Sequence, residues 1–198
     1  GLEAEKLLGK KPDVLLHNGL DMKRFPTFEE TSINHRKFRE RMREFLIYHT
    51  FPYYRIELED TLFYFIAGRY EFKNKGIDIL IKALGRLNQE LNSEDKTIIT
   101  WFFIPNGVQG IKPGLLDSKN RFEELKGSIE RNEMEIQNKL ISEVFSKKKL
   151  DALDVFTQEM RRDLKYKVSH FNKDGKPPVS THDLVNEGDS IIQALDAA

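Results

Sequence analysis

The sequence predicts an α/β fold in which a strand–helix–strand unit is followed by a helical hairpin. Two continuous apolar runs, "TLFYFIAG" at residues 61–68 and "TIITWFFIP" at residues 97–105, are typical of strands buried on both faces of a parallel sheet. Between them lies a segment with the apolar spacing of an amphipathic helix. We therefore expect a βαβ unit with a right-handed crossover.

The helix of this unit is predicted to begin soon after the first strand ends. One of its faces is apolar over about five turns. The residues on that face are Ile77, Leu80, Ile81, Leu84, Leu87 and Leu91. Because ligands of parallel sheets bind beyond the carboxyl ends of the strands, residues 68–76 are the predicted place for a functional site.

The segment before the βαβ unit is predicted to carry one amphipathic helix. Phe38, Met42 and Phe45 recur at helical spacing, and Thr31 or Ser32 is the expected N-cap. Basic residues crowd the rest of this helix, a pattern that can indicate binding to RNA or to a membrane surface. Acidic residues interleave with them, which favours an ordinary solvated helix.

Two further helices are predicted after the unit, from Phe122 to Val144 and from Leu150 to Leu164, separated by Lys147–Lys149. Their narrow apolar seam favours pairing of helices, either within this domain or between copies of the chain. A break at "NKDGKPP" precedes a last helical segment with Ser180 or Thr181 as its expected cap. The predicted domains are a lead-in at 1–58, the βαβ unit at 59–110, the helical insertion at 111–170 and a further helical segment at 171–198.

Composition excludes several classes of protein. The 198 residues include 32 Lys and Arg and 32 Asp and Glu, so no net charge draws nucleic acid or an anionic membrane. The absence of cysteine excludes disulfides and thiolate metal sites, and no apolar stretch is long enough to span a bilayer. We expect a soluble, cytoplasmic protein. The chain lacks an initiator methionine and stops within an apparent helix, so we expect a piece of a longer polypeptide.

Cationic side chains cluster between the first strand and its helix, in "FIAGRYEFKNKG" at residues 65–76. Cations at a helix N-terminus interact unfavourably with the helix dipole. A bound phosphate would offset this free-energy cost. The guanidinium of Arg69 can donate two hydrogen bonds to a phosphate, and the ammonium of Lys75 supplies a compact positive charge. The start of the helix supplies unsatisfied N–H donors. The alternative is that these cations pair with Glu71, Asp78 or another carboxylate. Neither a Walker sequence nor G-x-G-x-x-G is present, which argues against a P-loop ATPase and an ordinary dinucleotide site.

The histidines indicate no further chemistry. They are His17, His35, His49, His170 and His182. Their spacing does not fit a metal site. His182 and Asp183 could be interpreted as a base and its orienting acid, but no matching nucleophile accompanies them.

One long stretch resembles a known family. "FYFIAGRYEFKNKGIDILIKALGRLN" is similar to the eukaryotic-type glycogen synthases of glycosyltransferase family 3. "HNGLDMKRFPTFEE", "ELKGSIERNE" and "PPVSTHDLVNEGDSII" resemble further segments of that family in the same order. The resemblance implies a retaining transfer of glucose from UDP-glucose to α-1,4-glucan, without a metal or cofactor. It also implies a GT-B architecture, of which this chain would form a partial Rossmann-like C-terminal domain with a helical-hairpin insertion.

The same resemblance assigns roles to particular residues. Arg69 and Lys75 match the arginine and lysine that contact the donor diphosphate in the family, and the insertion matches the region through which these synthases form oligomers. The acidic element within "EPWGYTPAE", the N-terminal half and the arginine-rich regulatory helix of the family are missing. We therefore expect a central excerpt that is inactive alone. Two alternatives remain, an oligomerisation module and a glycosyltransferase that uses another base or sugar.

Overall fold

The computed structural model describes residues 2–14, 16–17, 19–91, 96–146 and 154–198. Its helices are α1 (Leu2–Leu8), α2 (Phe28–His49), α3 (Ile77–Glu90), α4 (Pro113–Arg131), α5 (Glu133–Phe145), α6 (Gln158–Phe171) and α7 (Ser190–Asp196), with one 3₁₀ turn at Met22–Arg24. Its strands are β1 (Leu62–Ala67), β2 (Ile98–Phe103), β3 (Val108–Ile111) and β4 (His182–Leu184). Two compact units are present, Gly1–Arg41 and Met42–Ala198. Within the described ranges, no helix is both long and apolar enough to cross a membrane.

The predicted strand–helix–strand unit is confirmed in its elements and in its parallel pairing. β1 and β2 pair in parallel from Leu62 opposite Ile98 to Ala67 opposite Phe103, and α3 connects them. The buried core on one face of this sheet consists of Ile77, Ile81 and Ile191, contributed by α3 and α7. Burial of these side chains is the main force that holds α3 against the sheet.

The expectation that both apolar strands are buried on both faces is wrong for β1. Its neighbour on one side is β2, and no other described strand pairs with it. On its two faces, Phe65 is 71% exposed and Tyr64 is also exposed, because successive side chains of a strand point to opposite faces and neither face is fully covered there. β2 is better covered, because the Trp101 ring meets Phe45 of α2 edge-on with a centroid distance of 5.0 Å.

A second, antiparallel sheet was not predicted. β3 pairs with β4, and Lys112 N–H donates to the Thr181 carbonyl at 3.1 Å beside them. The predicted helix cap at Ser180 or Thr181 is therefore wrong, since the chain enters a strand there. The following helix begins only at Ser190 and is capped by Asp189.

The start of α2 also differs from the expected Thr31 or Ser32. Thr27 Oγ1 accepts the Glu30 N–H at 3.3 Å, while the Glu30 carboxylate accepts the Thr27 N–H at 2.8 Å. This reciprocal pair is a capping box, and its "TFEE" signature was visible in the sequence. The helix thus starts one turn earlier than predicted.

The predicted long helix from Phe122 to Val144 is interrupted at Asn132. Asn132 has φ −108° and ψ 12°, outside helical values, and its side-chain amide donates to the Ser128 carbonyl at 2.8 Å. A side chain that bonds to nearby backbone competes with the helix in this way.

The second predicted helix starts later than expected. Thr157 caps α6, and α6 packs against α4. Lys147–Lys149, Leu150 and Leu153 lie outside the described residues. The helical hairpin and the four domain boundaries stay predictions.

Candidate functional site

The candidate site is the loop of residues 68–76, which we call the cationic loop. Parallel pairing places it at the carboxyl edge of the β1–β2 sheet, as predicted. The Gly68 N–H still donates to the Phe103 carbonyl of β2, at 3.4 Å. At the other end, Gly76 adopts the left-handed conformation, with φ 67° and ψ 22°, directly before α3. Glycine reaches this conformation without the Cβ clash of other residues, so the loop can turn into the helix there.

The backbone of the cationic loop is closed by its own hydrogen bonds. Glu71 N–H donates to the Arg69 carbonyl at 2.8 Å, and Lys75 N–H donates to the Glu71 carbonyl at 2.9 Å. The first amides of α3 are also in use, because Ile77 and Asp78 N–H both donate to one carbonyl, that of Phe72. The expectation that these amides are unsatisfied is therefore corrected, and a ligand here would depend on side chains.

The side chains of the loop cations extend into solvent. Arg69 is 81% exposed and its Nη2 lies 3.0 Å from Glu71 Oε1. Lys73 and Lys75 are exposed, and within the described part of the chain neither has an ion-pair partner. The alternative pairing is thus realised for Arg69 only. An exposed ion pair contributes no more than about 1 kcal/mol, so a phosphate could displace Glu71 from Arg69 or bind the same guanidinium beside it.

The remaining charges near the loop lie apart from this cluster. Asp78 occupies the first turn of α3, where a carboxylate complements the helix dipole. Arg86, further along α3, pairs with Glu90 at 3.0 Å. The loop therefore offers Arg69, Lys73 and Lys75 to an anion at the sheet edge, and Arg69 and Lys75 are the two that the resemblance predicts.

A buried carboxylate, which the sequence analysis missed, lies behind the loop. Asp189 is only 3% exposed. Its Oδ2 accepts the Tyr70 hydroxyl at 2.8 Å and the Asn106 side-chain amide at 2.7 Å, and its Oδ1 accepts the N–H groups of Ile191 and Ile192. An Asp directly before "SIIQAL" is an N-cap signal, and this signal could have identified the cap but not its second role.

The titration of this group reflects its contacts. Burial would raise the pKa of Asp189, but the hydrogen bonds from Ile192, Tyr70, Asn106 and Ile191 together outweigh it and hold the pKa below the ordinary value. Burial, followed by the hydrogen bond and charge of Asp189, raises the pKa of Tyr70. The Asp189 carboxylate is therefore ionised and Tyr70 is protonated near neutral pH.

A second concave region lies away from the cationic loop. Its volume is about 310 Å³, and its walls include His49, Lys112, Lys176 and Asp183. Burial lowers the pKa of His49. Asp183 Oδ1 binds Lys112 Nζ at 2.8 Å, and the described contacts include none between Asp183 and His182 that would make a base with an orienting acid. Among the described residues, no cluster of His, Asp or Glu has the arrangement of a metal site.

Comparison with known proteins identifies the family. The model of the family described as Glycogen synthase matches residues 1–197. This chain belongs to the glycogen synthase family. It is 32% identical to the human liver glycogen [starch] synthase over 98% of its length, and 29% identical to the Neurospora crassa glycogen [starch] synthase over 96%. The Caenorhabditis elegans glycogen [starch] synthase is 27% identical over 98%.

The family resemblance found in the sequence is thereby confirmed. The chain spans 28% of the length of the human and Neurospora proteins and 30% of the Caenorhabditis protein. A mixed α/β structure with a small parallel sheet is compatible with a domain of a glycogen synthase. The roles of Arg69 and Lys75 stay predictions.

Proposed function

We propose that this chain is part of a retaining glucosyltransferase that extends α-1,4-glucan from UDP-glucose. Membership of the glycogen synthase family supports the reaction class. The observation that carries the proposal is the cationic loop at the carboxyl edge of a parallel sheet, with an exposed Lys75 that has no acidic partner among the described residues. Parallel sheets bind nucleotide ligands at this edge.

The fold proposed for the complete enzyme is GT-B. Parallel β1 and β2 with α3 between them support a partial Rossmann-like domain, the C-terminal half of that architecture. In this arrangement α4–α6 would be the helical insertion. The donor would lie between this domain and a second half contributed by residues outside the chain.

In the proposed mechanism, Arg69 and Lys75 hold the diphosphate of the donor. As the glycosidic bond to UDP breaks, negative charge grows on the phosphate oxygens. Guanidinium and ammonium groups that close on the diphosphate would stabilise that charge most in the transition state, and they would replace the divalent cation that other phosphate sites use. The proposal therefore includes no metal and no cofactor. The remaining catalytic groups would lie outside this chain, which would be inactive by itself.

The proposal is tested with radiolabelled UDP-glucose and glycogen, using the complete enzyme. We expect transfer of glucose with an α-configured product, resolved by NMR of the anomeric proton, and an unchanged rate in the presence of EDTA. An inverted product or no transfer would contradict the reaction class. Loss of activity with EDTA would contradict the metal-free site. A higher kcat/KM with ADP-glucose than with UDP-glucose would instead favour the alternative of another donor base. Contacts to the phosphates do not distinguish one base from another.

The partners and location follow from the same proposal. A nucleotide-sugar, a glucan chain and further copies of the protein are the proposed partners, without nucleic acid or a membrane. The proposed location is the cytoplasm.

A second candidate function is self-association through the helical segment. The observation that favours it is the exposed apolar surface of α5, where Phe145 is 82% exposed and Met134, Ile141 and Val144 are also exposed. Contiguous apolar surface of this kind marks interaction sites in soluble proteins. This surface could pair with the same surface of a second copy.

Sedimentation of the 198-residue chain tests this association. We expect oligomers at tens of micromolar protein, and a shift toward monomer after the double change Ile141→Glu and Phe145→Glu. The control is Phe65→Glu, which places one such charge on an exposed aromatic position of β1. A wild-type monomer at high micromolar concentration, or a shift caused equally by the Phe65 change, would contradict association through α5.

A further inference from the structure

Tyr70, a half-buried residue of the cationic loop, is tied to the structure behind the loop by packing and by a hydrogen bond. Tyr70 lies between Arg69 and Glu71, and the hydrogen bond from Glu71 N–H to the Arg69 carbonyl makes these three residues a tight turn. The Tyr70 ring packs against the core of Ile77 and Ile81. The flanking Arg69 and Glu71 side chains contact each other, so the direction of Arg69 depends on where Tyr70 is fixed.

The group that fixes Tyr70 is the Asp189 carboxylate. It accepts the Tyr70 hydroxyl at 2.8 Å and, on the same oxygen, the Asn106 amide at 2.7 Å. Tyr70 follows β1 and Asn106 follows β2, so one oxygen joins the chain segments that leave both parallel strands. The other oxygen caps α7 through two backbone N–H groups.

We propose that Asp189 is a positioning residue for the donor site, which holds the Arg69 turn at the sheet edge through Tyr70. This inference rests on the proposed function, because it concerns the same phosphate site. Hydrogen bonds to a charged group are stronger than neutral ones, and a buried acceptor shared by two donors leaves little freedom in their positions. Because Asp189 is only 3% exposed, the proposal assigns it no contact with the donor or the acceptor and has it act through Tyr70.

Two substitutions separate this role from a general effect on stability. Tyr70→Phe keeps the packed ring and removes the hydroxyl. Asp189→Asn keeps an oxygen that can cap α7, since Asn is as good an N-cap as Asp, but replaces the oxygen facing Tyr70 and Asn106 with a donor. Each change is expected to weaken UDP binding to the complete enzyme by at least about five-fold, since each removes at least one hydrogen bond of the network, and to lower kcat.

The controls match each change. Tyr166→Phe alters an exposed tyrosine, and Thr157→Ala removes the cap of α6, where Thr157 Oγ1 accepts the Met160 N–H. Neither is expected to change the Kd for UDP, although Thr157→Ala should lower the melting temperature. The double variant of Tyr70 and Asp189 should bind UDP about as weakly as either single variant, because both act through one contact.

The deciding experiment is a calorimetric titration with UDP that measures the Kd of each variant, with Arg69→Ala included. It is carried out well below the melting temperature of every variant. If Arg69→Ala weakens UDP binding while Tyr70→Phe and Asp189→Asn do not, the positioning role is overturned and the phosphate site stands. Additive losses in the double variant would also overturn it. If Arg69→Ala has no effect either, the proposed phosphate site itself fails.

Discussion

Replacing Lys75 with alanine in the complete enzyme is expected to lower kcat by about 100-fold, the loss typical of removing one preorganised group that stabilises transition-state charge. The reason is that Lys75 is an exposed ammonium group without an acidic partner in the described structure, at the edge where a leaving diphosphate would gain charge. KM for UDP-glucose should change less than kcat, because the charge on the phosphates is larger in the transition state than in the bound donor. Initial rates over a range of UDP-glucose concentrations measure both constants.

The matched control for this experiment is Lys82→Ala, which removes an exposed lysine from α3 without touching the cationic loop. It should leave kcat and KM within about twofold of the parent, since exposed substitutions away from a site have small effects. Unchanged kinetics in the Lys75 variant would remove that residue from the mechanism. Equal losses in both variants would indicate a general dependence on the charge of α3.

The parallel unit was predictable because its signals are local and strong. The continuous apolar runs before Gly68 and Pro105 indicated paired strands, and the spacing from Ile77 to Leu87 indicated one apolar helical face. Two strands that are joined by a helix usually pair in parallel, because parallel strands need such a long connection. The position of Arg69 and Lys75 at the carboxyl edge followed directly, since the loop that joins β1 to α3 must lie there.

Other features depend on partners that are distant in the chain. The pairing of β3 with β4 joins segments about 70 residues apart, and "STHDL" carries no strong strand signal of its own. The contact of Tyr70 with Asp189 spans 119 positions. A buried polar contact between loops has no periodicity, so no pattern in the sequence could indicate it. The exposure of β1 was missed because its apolar composition predicts two covered faces.

The interruption at Asn132 shows a different limit. Ile129, Ile136 and Leu140 continue one helical face across it, so the periodicity favoured a single helix. Whether an Asn side chain turns back to its own backbone depends on local geometry, and here it bonds to Ser128. Periodicity therefore predicted the helical conformation on both sides of Asn132 but not the break, and its apolar face is only partly covered, since Phe122 is buried while Ile129 and Leu140 are exposed.

The packing of α3 on the sheet leads to the other large expected effect, which concerns stability. Ile81→Ala is expected to lower the free energy of unfolding of the 198-residue chain by about 3 kcal/mol, as deletion of a buried isoleucine typically does. Ile81 is 1% exposed and lies in the core that supports both the sheet and Tyr70.

The control is Ile79→Ala on the same helix. Ile79 is 69% exposed, so its loss should cost less than about 0.5 kcal/mol, and alanine also has the higher helix propensity. Urea denaturation followed by circular dichroism measures both. Equal losses for the two variants would contradict this orientation of α3, and with it the placement of the cationic loop that α3 anchors.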